Sequence, residues 1–189
     1  MVSFSAFALL AAPLALAGSS RVARSSMPET FSLYAYGKGI GGSPVFYHDN
    51  LAYLGDPRDL NGSMHDIVLF HNDDGTLVAN ENATASGDAE AWSNLTFYVP
   101  GPTSTAHQVG FTNTTGSSDI STTDFTFYGG VILHKQDSKL LTLWYASPTD
   151  TDGIYTLNWN DTGDSSTDGN IIVSLKAKAP TRPAIPPRP

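Results

Sequence analysis

From Phe31 onward, apolar and polar positions alternate over short stretches, and no stretch keeps a helical period beyond one turn. Aromatic and β-branched runs predict strands at 31–36, 44–48, 51–54, 67–71, 76–80, 95–99, 108–112, 124–128, 131–134, 140–146, 153–158 and 171–176. Clusters of Gly, Asn, Asp, Pro and Ser separate them, and only residues 87–92 have helical appetite, at most a turn. The pattern predicts an all-β chain, an antiparallel β-sandwich of eleven to twelve short strands, with a closed or calyx-like barrel as the alternative.

Turn chemistry joins several of these strands. Asp49-Asn50 between two apolar runs fits a two-residue hairpin loop. Asn72-Asp-Asp-Gly75 predicts a second hairpin and Asp150-Thr-Asp-Gly153 a third turn. Residues 37–44 read as a flexible glycine-rich loop at one end of the sandwich, a possible lid. The run 140–146 is bulky on both faces and predicts a central strand buried on both sides.

Five N-x-S/T sequons begin at Asn61, Asn82, Asn94, Asn113 and Asn160. A glycan must face solvent, so Asn94 sends Thr96 and Tyr98 outward and Leu95, Phe97 and Val99 inward. By the same logic Asn160 places Thr156 and Asn158 outward and Tyr155, Leu157 and Trp159 inward.

The ends of the chain fit that reading. Residues 1–17 form an apolar, Ala-rich run ending in Ala15-Leu16-Ala17, a secretory signal peptide too short and too Pro-interrupted to anchor in a membrane. Residues 18–29 read as a linker or pro-segment, 30–176 as the β domain, and 177–189 as a disordered Pro-rich tail. The expected location is extracellular. The chain has no cysteine, so a secreted domain of this size must hold together by burial alone. A formal charge of −8 with ten basic residues argues against nucleic acid as a partner.

Candidate chemistry is sparse. The five histidines, His48, His65, His71, His107 and His134, lack the short spacing of a metal motif. The acidic turns match no calcium loop, so structural turns are favoured and no metal is expected. No serine sits in a G-x-S-x-G elbow, and the glycine-rich segment is not a phosphate loop. What stands out is the aromatic load: eight Tyr, nine Phe and three Trp. Core packing explains most of them, but polar-tipped rings also suit a cavity for an apolar, oxygenated small molecule or a platform for sugars.

The segment Phe31-Ser-Leu-Tyr-Ala-Tyr-Gly-Lys-Gly-Ile-Gly-Gly-Ser-Pro-Val-Phe-Tyr-His-Asp-Asn-Leu-Ala-Tyr-Leu-Gly55, with Phe127-Tyr-Gly-Gly-Val131 and Leu143-Trp-Tyr-Ala146, resembles small secreted fungal proteins. In style it is similar to the fungal hetero-Diels–Alderases of tropolone-sesquiterpenoid biosynthesis. That resemblance implies a cofactor-free cyclase joining a quinone methide to a terpene, an apolar small-molecule substrate, and no assignable catalytic residue. Such a cycloaddition asks only for two partners held in reactive orientation, with a donor polarising an oxygen. The expected pocket is the strand pair 140–146 and 153–159, closed by 37–44. Trp144, Tyr145, Tyr155 and Trp159 would shape it, and Tyr47, His48 or Tyr53 would donate hydrogen bonds. The alternative is a non-catalytic cell-wall or surface glycoprotein that binds glycans. The oligomeric state is left open, a homodimer included.

Overall fold

The computed structural model describes residues 28–60, 65–82, 92–114, 116–159 and 169–181. The expected signal peptide, most of the expected 18–29 linker, residues 87–91 of the expected helical turn, the sequons at Asn61 and Asn160, and the last eight residues of the expected tail lie outside them. The described residues form fifteen strands and one short 3-10 turn at Pro57–Asp59.

The strands are β1 Thr30–Phe31, β2 Tyr34–Gly37, β3 Ile40–His48, β4 Leu51–Leu54, β5 His65–Asp73, β6 Thr76–Glu81, β7 Leu95–Pro100 and β8 Gly110–Thr112. They continue as β9 Ile120–Ser121, β10 Phe125–Tyr128, β11 Val131–Gln136, β12 Lys139–Leu141, β13 Trp144–Pro148, β14 Tyr155–Trp159 and β15 Ile171–Lys176. The tight turns have the backbone that two-residue hairpins require. Asp49 and Asn50 have φ of 50° and 65°, Asp74 and Gly75 of 44° and 87°, and Asp137 and Ser138 of 47° and 64°.

All pairings are antiparallel, as the sequence predicts, but the sheet does not split into a sandwich. Hydrogen bonding runs β15, β13, β14, β4, β8, β7, β6, β5, β3, β2 and back to β15, a closed ring of ten strands. The closure is the β15–β2 ladder, from Val173 opposite Gly37 to Lys176 opposite Tyr34. A further β3–β4 ladder crosses the ring and pinches it. The hinge of this arrangement is β3. Its first half pairs with β2; past Val45 it pairs with both β4 and β5. Gly42, at φ 94°, is the extra residue between Gly41 opposite Tyr36 and Ser43 opposite Ala35. A bulge of this kind bends a strand and sharpens its twist, which lets one strand serve both sides of a closed sheet.

Two local expectations are corrected. Residues 37–44 are not a free loop: they are the β2–β3 hairpin, with Ile40 buried in the core. The run 140–146 is not one central strand either. It breaks at Thr142–Leu143 into β12, an outer strand paired with β11, and β13; Leu140 is 56% exposed. The doubly bulky pattern arose from two strands with different surroundings read as one.

Alternation otherwise holds. Phe97 and Val99 are fully buried while Thr96 and Tyr98 are half-buried on the other face. Leu157 and Trp159 point inward, with Tyr155 partly buried against the same core. Asn158 faces the other way but is buried as well, because neighbours satisfy it: its Nδ2 donates to Ser147 Oγ at 3.1 Å, and to Thr156 O and Oγ1 at 3.1 and 2.9 Å.

The interior is a run of touching rings. Phe31 meets Phe70 and Phe127, Phe70 meets Phe97, and Phe97 meets Phe111 and Trp144, with centroids 5.2–6.2 Å apart. From Phe111 the run reaches Tyr47 and Trp92, which stack at 4.4 Å; from Trp144 it reaches Trp159. Each large apolar side chain so buried contributes roughly 1.5–3 kcal/mol relative to exposure. That is how a cysteine-free domain of this size holds its shape without disulfides.

Candidate functional site

The seven residues singled out for a pocket fall on different faces of the sheet. Tyr47, Trp144 and Trp159 are core residues, and the last two pack on each other across β13 and β14. Tyr145 points to the opposite face, opposite Asn158, where burial pushes its phenol above the ordinary value. Tyr155 leans on the core at the far end of β14. His48 and Tyr53 share the outer face of β3 and β4, where Tyr53 stacks on the buried Phe46 at 5.6 Å. The expected strand pair does form, and its inward rings Trp144 and Trp159 pack on each other.

A groove of about 580 Å3 opens elsewhere, between the β5–β6 turn and the β10–β12 strands. Its walls follow from the turns. Gly75 O accepts the Phe125 N–H at 3.0 Å and Asp124 O accepts the Lys135 N–H at 2.9 Å, so the hairpin tip, the start of β10 and β11 are tied together. Asn72 Oδ1 accepts the Gly75 N–H at 3.2 Å, and Asp124 Oδ2 accepts the Thr123 hydroxyl at 3.1 Å. Asp124 has φ 66°, a backbone that Asp and Asn tolerate better than most residues. Asn72, Asp74, Asp124 and Thr126 give the groove polar groups, Lys135 a cation, and Phe127 and Leu140 an apolar surface.

Behind this wall Ser121 Oγ lies 2.9 Å from His134 Nε2. His134 stands opposite Phe125 on the neighbouring strand and is 4% exposed. Its ring packs on Phe125 and Trp159 at 5.2 and 5.6 Å, and its Nδ1 is buried without a well-formed hydrogen bond. Burial pushes this imidazole below its ordinary value, while the Asp124 carboxylate and the Thr123 backbone pull the other way. The ring is therefore neutral near pH 7. Neither Ser121 nor His134 lines the groove, so the pair is read as a core histidine with one satisfied nitrogen. Sequence reasoning missed it because the partners are thirteen positions apart on strands that do not follow one another directly. The alternation Ile132-x-His134 was the available signal that His134 points inward.

A second pocket, of about 430 Å3, lies where the chain end crosses the β2–β3 hairpin, between Tyr36 and the segment Lys178–Thr181. Residues 177–181 are thus seated on the barrel rather than free. The Ala177 N–H donates to Gly130 O at 2.9 Å and the Tyr36 hydroxyl donates to Lys178 O at 2.8 Å.

Of the described sequons, Asn94 and Asn113 are exposed and Asn82 is half-buried. Among the described residues no group of three or more His, Asp or Glu side chains is placed to hold a metal ion. No protein-family model, curated protein or solved structure matches the chain.

Proposed function

We propose that the protein is a secreted, N-glycosylated β-barrel that binds glycans through the groove between the β5–β6 turn and β10–β12. The observation that carries this reading is the composition of that groove: acidic, amide and hydroxyl side chains beside exposed Leu140 and half-buried Phe127. Sugars present hydroxyls that pair with carboxylates and amides, and C–H faces that rest on apolar surface. An open, wet groove suits a chain-like ligand that need not be enclosed. The signal peptide and the exposed sequons at Asn94 and Asn113 support an extracellular setting.

The test is retention on chitin, β-glucan and cellulose, wild type against the double variant Asp124→Gly, Leu140→Ala. Glycine keeps the positive φ at 124 while removing the carboxylate. Retention of the wild type on at least one polysaccharide, lost in the variant, is expected. Failure to bind any of them sinks the reading.

The cycloaddition implied by the fungal resemblance is the second reading. What favours it is the pocket beside Tyr36, where an aromatic ring, Pro180 and an ammonium group adjoin. It ranks second because the interior rings pack against one another, so the reactants would meet in a surface pocket still open to water. Incubation with humulene and a generated quinone methide decides it: a yield and stereochemistry equal to the protein-free reaction would remove it.

A further inference from the structure

Residues 28–175 carry eighteen acidic and four basic side chains, a formal charge of −14; residues 176–189 carry four basic side chains and no acidic one. The start of this basic end is laid across the acidic barrel. Besides the hydrogen bonds of Ala177 and Tyr36, Pro180 sits on the bulge glycine, so close that a Cβ on Gly42 would lie 2.8 Å from Pro180 Cβ. The pocket under this strap is therefore built half from the barrel and half from the chain end.

Among the described residues its charged lining is Lys176 and Lys178. Among the described residues neither has a carboxylate within 4.0 Å, although the barrel carries so many. Lys176 Nζ instead lies 5.1 Å over the Tyr36 ring, a contact that holds the ammonium at the pocket wall. The rest of the lining, the Tyr36 ring, Ala179 and Pro180 foremost, is apolar apart from the Tyr36 and Thr181 hydroxyls and the backbone.

We propose that this pocket binds a small organic anion, a carboxylate or sulfonate on an apolar body. The body rests on Tyr36 and Pro180, and the head lies between the two ammonium groups. Both parts are needed. A bare inorganic anion makes no use of the apolar wall, and a polyanion is repelled by the surrounding barrel. The inference does not depend on the glycan reading, since that groove lies on other strands, and it stands whether or not the cycloaddition uses this same pocket.

The test titrates the full chain with 2-naphthoate, 2-naphthamide and inorganic sulfate, following chemical shifts of backbone amides around Tyr36 and Lys178. Saturable binding of naphthoate is expected, with the amide and sulfate each weaker by about fivefold or more. Replacing both lysines (Lys176→Gln, Lys178→Gln) should bring naphthoate down to the level of the amide. A circular dichroism melt checks that the variant folds; should it fail, the exposed Lys178→Gln alone must still weaken naphthoate selectively. No saturable naphthoate binding, equal binding of acid and amide, sulfate as tight as naphthoate, or an unchanged affinity in the lysine variants would each overturn the proposal. The Asp124→Gly, Leu140→Ala variant should leave naphthoate binding unchanged, so the pocket and the glycan groove fail or stand separately.

Discussion

Trp144 and Trp159 stand directly opposite each other on β13 and β14, their rings edge to face with centroids 4.6 Å apart. Each is 1% exposed, and Trp144 also donates its indole N–H to Ile132 O at 3.4 Å. The pair joins the ring cluster around Phe97 to the one around His134.

Truncating either indole therefore opens a cavity that strands held in a closed ring cannot collapse into. Trp159→Ala should cost about 3–5 kcal/mol of unfolding free energy, read by urea denaturation with far-UV circular dichroism. A loss under about 1 kcal/mol would show that these rings are not part of one packed core.

His134 gives the fold a defined sensitivity to acid. Burial holds its folded-state pKa below the ordinary value of 6.5, so below that pH the unfolded chain binds more protons than the folded one. Its effect is absent well above pH 6.5, and the stability it costs grows as pH falls from 6.5 towards the lower folded pKa. Unfolding free energies measured from pH 8 to pH 5 should drop more steeply for the wild type than for His134→Gln, which can still bond Ser121. Parallel profiles would refute the assignment.

Glycines separate backbone freedom from close approach. Gly55 has φ 133°, and a Cβ there would lie 2.5 Å from Gly153 O and 2.7 Å from Ile154 Cδ1, where the end of β4 meets the 150–153 turn. Gly116 also has positive φ, 89°, but nothing within 4 Å. Gly116→Ala should cost about 1 kcal/mol and Gly55→Ala clearly more, since it adds a backbone collision to the strain. Equal melting temperatures for the two variants would contradict the packing at Gly55.

Strand existence and facing were legible because period-two alternation and turn residues are local signals. Leu95 to Val99 and the Asp49-Asn50 turn show this. Closure was not legible. It depends on β15 finding β2 across some 140 residues, and no local pattern distinguishes that ladder from a free edge. The glycines of 37–44 looked like a loop because a bulge and a turn use the same residue type; only the partner strand shows Gly42 to be the bulge. The placing of the candidate rings was not legible for a related reason. Ring content says how much aromatic surface must be placed, not whether the rings face a ligand or one another, as Trp144 and Trp159 do.

The seating of the chain end makes the last prediction. Lys178–Thr181 is held by the Tyr36 hydroxyl on Lys178 O and by Pro180 on Gly42. Trypsin can cut after Lys178 only when this segment leaves the barrel, so the cleavage rate reports the undocked population. In Gly42→Ala the new methyl group collides with the proline ring at 2.8–2.9 Å, and φ 94° is strained for alanine, so cleavage should quicken markedly. Tyr36→Phe leaves the bulge intact and removes one hydrogen bond, so it should quicken cleavage less, by a factor corresponding to about 1 kcal/mol. Mass spectrometry of the released peptide after brief digestion at a temperature far below melting measures both. Identical rates in the wild type and both variants would mean that the chain end is not held by these contacts.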